Sequence, residues 1–150
     1  MMKFTTKGIY GIMILLDLAC YGSNGPQSIK QIAERTKISE KYLEQIFIRL
    51  KKTGYIRSYR GKKGGYDLML PPADISIGKA LAVLEGSYAP VDCISPPGEK
   101  ECVRSNICIT KLFWQKLLRE ISAVIDNTTL ENLQIKFMDW KNNKNSMYYI

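Results

Sequence analysis

Residues 28–54 contain the feature that most restricts the possible folds, because two short amphipathic segments follow each other with only a few residues between them. Ser28 is placed to cap a first helix, and Ser39 is placed to cap a second. A tight turn through Thr36 and Lys37 joins them, so the segment predicts a helix-turn-helix. The second helix turns four large apolar side chains inward: Leu43, Ile46, Phe47 and Leu50.

The opposite face of this second helix carries hydrogen-bond donors and one aromatic ring: Lys41, Tyr42, Gln45 and Arg49. Such side chains can reach base edges and phosphates from the major groove of DNA. A solvated amphipathic helix would show the same pattern, and helical hairpins are common. This segment alone therefore favours DNA binding without establishing it.

A basic, glycine-rich turn follows, between two segments rich in aromatic and β-branched residues that predict the strands of a hairpin. The turn contains three cations and three glycines: Arg60, Lys62 and Lys63 with Gly61, Gly64 and Gly65. Glycine lets a backbone approach phosphates closely, and the cations neutralise them. A basic hairpin directly after a recognition helix predicts the wing of a winged helix.

Two other interpretations of the sequence "GKKGG" fit less well. A phosphate-binding P-loop requires a Lys-Ser/Thr pair that opens a helix, and this pair is missing. Gly61–Gly64 matches the GXXG loop of the RNA-binding KH fold, but that loop joins two helices, whereas strands are predicted here.

The composition agrees with a nucleic-acid partner. The chain has 150 residues, a net charge of +8 and 45% hydrophobic residues, which indicates one globular domain or slightly more. An excess of basic residues favours an anionic binding partner, with nucleic acid ranked first and a membrane surface second. A soluble protein with a basic, solvated surface would have the same net charge. The chain has no histidine, and it shows no nucleophile elbow or paired carboxylates, so we expect it not to be an enzyme.

The N-terminal apolar run ends in Ala-Cys, as a lipoprotein signal does, but Asp17 interrupts it and it is too short to span a bilayer. We expect a core helix from about Lys7 to Tyr21. We also expect a cytoplasmic protein that does not bind a membrane. Four residues of this helix share a face: Ile9, Met13, Leu16 and Cys20. Cys20 on that face is expected to be a small buried hydrophobe.

Two further helices are expected, one at "ISIGKALAVLEG" and a long one from about Ile109 to Asp126. Thr128 and Glu131 have capping-box spacing, which predicts a short last helix. The long helix has an apolar stripe for which little chain remains as cover: Phe113, Trp114, Leu117, Leu118, Ile121, Val124 and Ile125. The stripe indicates a dimer interface, or else packing on its own domain.

The expected fold is therefore mainly α: a winged helix-turn-helix with a small β-hairpin wing, plus a long C-terminal dimerisation helix. We expect the DNA-binding domain at 1–86, a cysteine loop at 87–108, and the dimerisation helix with a C-terminal tail at 109–150.

Three of the four cysteines, Cys93, Cys102 and Cys108, lie within sixteen residues. Thiols stay reduced in the cytoplasm, so the group indicates metal or redox chemistry rather than disulfides. Soft thiolates select iron–sulfur clusters or zinc. A zinc site usually has four ligands with a C-x2-4-C pair or histidine, and neither is present. Plain redox thiols remain an alternative.

Together these segments resemble a family of winged-helix bacterial regulators that includes IscR, NsrR and CymR, and most of all its IscR-like, cluster-binding members. The likeness covers most of the chain, through "TTKGIYGIMILLDLA", "ISEKYLEQIFIRLKKTGYIRSYRGKKGGY", "LEGSYAPVDC" and "TTLENL". The specific part is "YLEQ" followed by the wing sequence.

The resemblance implies a homodimer, paired through antiparallel long helices, that binds a palindromic double-stranded DNA operator as a repressor. It implies six DNA-contacting residues: Ser39, Lys41, Tyr42 and Gln45 on the recognition helix, and Arg60 and Gly61 in the wing. Lys62 and Lys63 are added from charge alone. It also implies that Glu44 contributes to operator selectivity, since a carboxylate repels phosphates and can accept from cytosine.

The resemblance further implies that Cys93, Cys102 and Cys108 ligate an iron–sulfur cluster, with 2Fe–2S favoured over 4Fe–4S. The family places a histidine or a partner's carboxylate as fourth ligand, at positions that here hold Lys111 and Ile9. The fourth ligand is therefore open, with Asp92, Glu99 and Glu101 as candidates in the loop. Alternatives are a nitric oxide or redox-thiol regulator, a CymR-like repressor acting with a protein partner, and an RNA-binding module.

Overall fold

The computed structural model describes residues 4–95, 102–104 and 106–146, and within them the chain is mainly helical. The elements are α1 Thr6–Tyr21, α2 Ile29–Thr36, α3 Glu40–Lys51, β1 Ile56–Tyr59, β2 Gly65–Leu68, α4 Ile77–Glu85, α5 Thr110–Asp126 and α6 Leu130–Ser146. The two strands pair antiparallel, with Ile56 opposite Leu68 and Tyr59 opposite Gly65. The mainly α fold with a hairpin wing is confirmed.

The helix-turn-helix forms where the capping residues predict it. The Ser28 side chain accepts from the backbone N–H of Gln31, whose side chain accepts in return from the N–H of Ser28. Each bond satisfies a backbone donor that a helix start leaves unpaired. The inward face of α3 is fully buried as predicted: Leu43, Ile46, Phe47 and Leu50.

The prediction that Ile9, Met13, Leu16 and Cys20 mark the buried face of α1 is wrong. Ile9 is 51% exposed and Met13 is 38% exposed, whereas Ile14, Leu15 and Leu18 are buried. The reason is that small residues mark the contact with α4, since a Cβ at Gly11 would overlap the side chain of Leu84. A stripe of large apolar residues therefore does not identify the buried side of this helix.

Helix α6 exists as predicted, but its length and cap differ from the prediction. It has 17 residues, and Thr129 and Asn132 form its cap: Thr129 N–H donates to Asn132 Oδ1 (2.9 Å) and Asn132 N–H to Thr129 Oγ1 (3.3 Å). The Thr128 hydroxyl instead donates to the carbonyl of Val124 (2.7 Å), at the end of α5. Thr128 is thus engaged with the preceding helix, which leaves the next residue to cap α6.

Helix α6 folds back against the N-terminal helix. Gln134 Nε2 donates to the backbone carbonyl of Ala19 (2.7 Å), and Leu130 is fully buried. The N–H of Leu130 also donates to the carbonyl of Ile75, just before α4. The C-terminal segment therefore covers α1, and the division of the chain at residues 86 and 108 stays a prediction.

The apolar stripe of α5 is divided between two faces. Ile125 packs against the core, and Leu118 lines a small cavity with residues of α4 and the following loop. Phe113 is 58% exposed and Val124 is 69% exposed. One side of α5 therefore packs on its own domain, and the other remains uncovered in the single chain.

Within the described residues, no helix combines the length and the apolar character that crossing a membrane requires.

A buried ionic network connects α1, α2 and the base of the wing. Arg35 donates to both carboxylate oxygens of Asp17 (2.8 and 2.7 Å) and to Gln27 Oε1 (3.0 Å), and it stacks over the ring of Tyr21. The backbones of Gln27 and Tyr66 exchange two hydrogen bonds of 2.8 Å. The hydrogen bond that Arg35 donates to Asp17 is the main reason why the pKa of Arg35 is raised.

We predict that Asp17→Ala destabilises the fold by about 2 kcal/mol, because it leaves the Arg35 guanidinium partly buried without its carboxylate. The matched control is Arg57→Ala, which breaks the exposed pair with Asp67 (3.6 Å) and should cost less than about 1 kcal/mol. Urea unfolding at one protein concentration, followed by far-UV circular dichroism, compares the two. Equal losses would show that the network is not a special contributor.

Candidate nucleic-acid interface and cysteine loop

The exposed face of α3 contains the predicted base-contacting residues. Ser39 lies at the N-cap, where its hydroxyl accepts from the N–H of Tyr42 (3.4 Å). Lys41 and Gln45 are exposed, and Tyr42 is half-buried. These four residues share the N-terminal half of the helix, which is the half that a recognition helix inserts into the major groove.

Tyr10 of α1 positions the Tyr42 ring, and the sequence analysis did not identify it. The two rings meet edge to face, with centroids 5.7 Å apart. Tyr42 therefore has one side against α1 and its remaining surface toward solvent. Only the spacing of Tyr10 on the side of α1 next to α3 could have indicated this contact, and that requires knowing how the helices pack.

The turn between α2 and α3 sets the direction in which α3 leaves. Lys37 has a left-handed conformation (φ 60°, ψ 26°), and its N–H donates to the carbonyl of Ala33. Ile38 is buried next to it. A single left-handed residue is a common way to end a helix, so the turn predicted at this place is confirmed.

The wing tip presents its predicted residues to solvent: Arg60, Gly61, Lys62 and Lys63 are all exposed. Gly61 has a φ of 103°, and its carbonyl accepts from the N–H of Gly64 (2.9 Å). In the part of the chain that the structure describes, none of the three cations has an acidic partner. The tip is therefore an uncompensated positive surface.

The wing is held at a defined angle to α3. The ring of Tyr66 stacks on Phe47 with centroids 3.7 Å apart, and Lys51 Nζ donates to Ser58 Oγ (2.8 Å). A cleft of about 380 Å³ lies between the start of α2, α3 and the wing. Glu44 lines this cleft together with Arg60 and Gly61, so the structure brings the predicted selectivity residue next to the predicted wing contacts. Burial, and secondly the charge of Glu44, raise the pKa of Tyr66.

The three loop cysteines differ in their surroundings. Cys93 lies in a 3-10 turn over Asp92–Ile94 and is half-buried, as is Cys108, whereas Cys102 is exposed. Cys108 Sγ and Thr110 Oγ1 are 3.1 Å apart. This hydrogen bond, followed by one from the Lys111 backbone, lowers the pKa of Cys108. The thiolate is thereby favoured at the start of α5.

The described residues do not assemble a metal site by themselves, since no three or more Cys, Asp and Glu side chains among them converge. Asp92 is exposed, and Glu99 and Glu101 lie outside the described residues. The donor set still fits iron–sulfur chemistry, because thiolates are its usual ligands. Ile9 and Lys111, at the two positions where the resemblance implied a fourth ligand, have neither a carboxylate nor an imidazole.

Cys20 lies apart from the loop, in a cavity of about 170 Å³ between α1, α2 and α6. It is half-buried, so the prediction of a buried hydrophobe holds only in part. Burial, and secondly the charge of Asp17, raise its pKa. The pKa of Cys20 is therefore shifted in the opposite direction to that of Cys108.

Comparison with known proteins supports one family. The Rrf2 family model, described as "Iron-dependent Transcriptional regulator", matches residues 4–135. The HTH-type transcriptional regulator IscR of Aliivibrio salmonicida is 37% identical over 134 residues, which cover 89% of this chain and 78% of that protein.

Two solved structures share both the fold and the sequence pattern. The global cysteine regulator CymR of B. subtilis has a TM-score of 0.73 at 37% identity, covering 91% of this chain and 98% of that one. The T. potens IscR has a TM-score of 0.72 at 38% identity, covering 89% and 87%. These relatives are regulators and not enzymes. The chain belongs to the Rrf2 family of transcriptional regulators.

Proposed function

We propose that the chain is a homodimeric repressor that binds a palindromic operator through α3 and the wing. We further propose that it responds to iron–sulfur cluster status through Cys93, Cys102 and Cys108, and controls cluster-assembly or related genes. One observation carries the proposal: three of the four cysteines occupy a single loop that leads from α4 of the DNA-binding fold to the partly uncovered helix α5.

At the DNA, the residues divide by position. Ser39, Tyr42 and Gln45 lie where base edges come within reach of α3, and a Gln can bind adenine with two hydrogen bonds. The wing cations and the Gly61 backbone supply contacts that neutralise phosphates irrespective of sequence. Glu44 lies between the two groups, where its carboxylate repels a misplaced phosphate and can accept from cytosine.

For the cluster, the loop provides three thiols and no histidine. Cys93, Cys102 and Cys108 would be the ligands, with the fourth place taken by a group other than a cysteine of the loop. When bound, such a cluster supplies a group sensitive to iron and oxidants. The lowered pKa of Cys108 means that less work is needed to deprotonate this ligand, since metal binding requires the thiolate.

For the dimer, the uncovered side of α5 is the proposed contact. Leu112, Phe113 and Val124 are each more than half exposed in the single chain, and large apolar side chains exposed along one helix are typical of an interface. A two-fold axis across α5 would bury this surface and place two recognition helices on one operator.

A second candidate function is a redox-thiol regulator, which includes a CymR-like mode with a protein partner. The favouring observation is that the Cys108 thiol has a lowered pKa while Cys102 is exposed. Low pKa and access to solvent are the properties that make a cysteine oxidisable. A nitric oxide sensor would use the same cluster and differs from the first candidate only in its signal.

We predict that anaerobic reconstitution with iron and sulfide gives visible absorbance, and that Cys93→Ala, Cys102→Ala or Cys108→Ala each abolishes it. Loss of one thiolate leaves too few protein ligands for a stable cluster. Cys20→Ala, the matched control, should retain the absorbance and the operator affinity of the wild type.

Iron and sulfide analysis separates the two candidates. A cluster-free wild type whose Cys102 and Cys108 oxidise reversibly would support the thiol regulator and reject the cluster. Full cluster retention in any loop variant would show that its cysteine is not a ligand.

We predict that α3 and the wing make different contributions to DNA binding. Gln45→Ala should relax the preference at one base pair by about 1–3 kcal/mol, because a bidentate contact is lost. Lys62→Ala with Lys63→Ala should weaken binding to all duplexes alike and lower the salt dependence by about 0.9 per lost phosphate contact.

Binding to a selected duplex and to a scrambled one, titrated across salt concentrations, gives both quantities. Reversed effects of the two variants would contradict these roles. An RNA competitor that displaces the duplex at equal concentration would favour the RNA-binding alternative.

We predict a dimer whose formation depends on the uncovered side of α5. Phe113→Glu with Val124→Glu should give monomers, because four carboxylates would be buried against each other, while the fold of each chain remains. Glu34→Ala, an exposed change on a different helix, α2, is the control. Equilibrium sedimentation decides, and a wild-type monomer at micromolar concentration would exclude this interface.

A further inference from the structure

We propose that Lys7, Arg49 and Lys52 form a second phosphate-binding site, separate from the wing, that holds the DNA strand beside α3. The inference rests on the proposed DNA-binding function: it gives Lys7 and Lys52 a role at the DNA, and it narrows the role of Arg49, an outward-facing donor of α3, to phosphate binding. All three line a cleft of about 400 Å³ between the start of α1 and the outward face of α3, and its other lining residues are Tyr42, Gln45, Ile46 and Ile48.

The spacing along α3 explains why this cleft lies at the edge of the groove. Tyr42, Gln45, Arg49 and Lys52 follow each other at intervals of three, four and three residues, so they form one stripe. The rise of about 1.5 Å per residue places Lys52 about 10 Å along the axis from Gln45. The major groove is about 12 Å wide, so Arg49 and Lys52 reach its phosphate-lined border when Gln45 reaches the bases.

Lys7 enters the same cleft from a different helix. Tyr10, which packs edge to face on Tyr42, is one turn further along α1, so Lys7 and Tyr10 share a side of that helix. The first turn of α1 is also anchored, because the N–H and the hydroxyl of Thr5 both donate to Glu85 Oε1 (2.8 and 3.1 Å). Lys7 is thus held next to the C-terminal half of α3.

The three cations are available to bind an anion. Among the residues that the structure describes, their side chains make no ion pair, whereas Arg35 and Arg57 do. Arg49 and Lys52 are exposed and Lys7 is half-buried, so their charge is directed at solvent within a concave surface. Such a surface concentrates anions. Because the cleft continues the face that carries Gln45, a DNA strand is the polyanion that fits it.

Ile48 adds an apolar wall to this site. Its side chain is 64% exposed, although its neighbours on the helix surface, three residues before and four residues after it, are the polar residues Gln45 and Lys52. A sugar–phosphate strand presents deoxyribose carbons between successive phosphates, and an exposed aliphatic side chain can contact these carbons while the neighbouring cations bind the phosphates.

The test compares Lys7→Ala and Arg49→Ala with the wild type on a duplex that the wild-type protein selects from a random library, and on a scrambled duplex. Each replacement removes two contacts from a dimer, so the slope of log affinity against log salt should fall by about 1.8. The ratio of affinities for the two duplexes should remain unchanged. Arg49→Lys should restore most of the slope.

Lys136→Ala is the matched control, since it removes the same charge from an exposed position on α6 and should leave the slope as it is. Unchanged slopes in both Lys7→Ala and Arg49→Ala, with a wild type that binds, would overturn the phosphate site alone. Loss of base preference at one position in Arg49→Ala would also overturn it. A wild type that binds no duplex would reject the proposed function and this site together.

Discussion

The buried carboxylate of Asp17 holds the helix-turn-helix and the wing together. It accepts two hydrogen bonds from Arg35, which also donates to Gln27, and the Gln27 backbone pairs with that of Tyr66 in the wing. A buried carboxylate is unfavourable without such partners, so α1, α2 and the wing strand are joined at one place. The relative positions of α3 and the wing tip follow from this network and from the stacking of Tyr66 on Phe47.

Local signals predicted the helix-turn-helix and wing well, because caps and periodicity act within a few residues. Ser28, Ser39, the inward face of α3 and the glycine-containing hairpin are all where the sequence places them. The core face of α1 was not predicted because Gly8 and Gly11 face α4. A helix contact made by glycines shows no stripe of large apolar residues in the sequence. The cap of α6 was displaced by one residue because Thr128 is bound to the end of α5.

The candidate site was predictable in its residues but not in its arrangement. The outward position of Gln45 follows from helical periodicity, whereas its proximity to Lys7 depends on how α1 crosses α3. Glu44 similarly lines one cleft with Arg60 only because of the angle of the wing. For the loop cysteines, the sequence identifies the candidate ligands, but the described residues do not bring three of them together. The closing of a loop around a metal depends on the metal itself.

Glu85 gives the cysteine loop a physical connection to the DNA-facing side. It is the last residue of α4, and Gly86, with a φ of 80°, ends the helix directly before the loop. The Glu85 carboxylate accepts both hydrogen bonds from Thr5, and it packs on α1 where a Cβ at Gly8 would overlap it. The end of α4 is therefore in direct contact with the first turn of α1, which carries Lys7. Tyr10 on the next turn packs on Tyr42, so two packed contacts connect the start of the cysteine loop to α3.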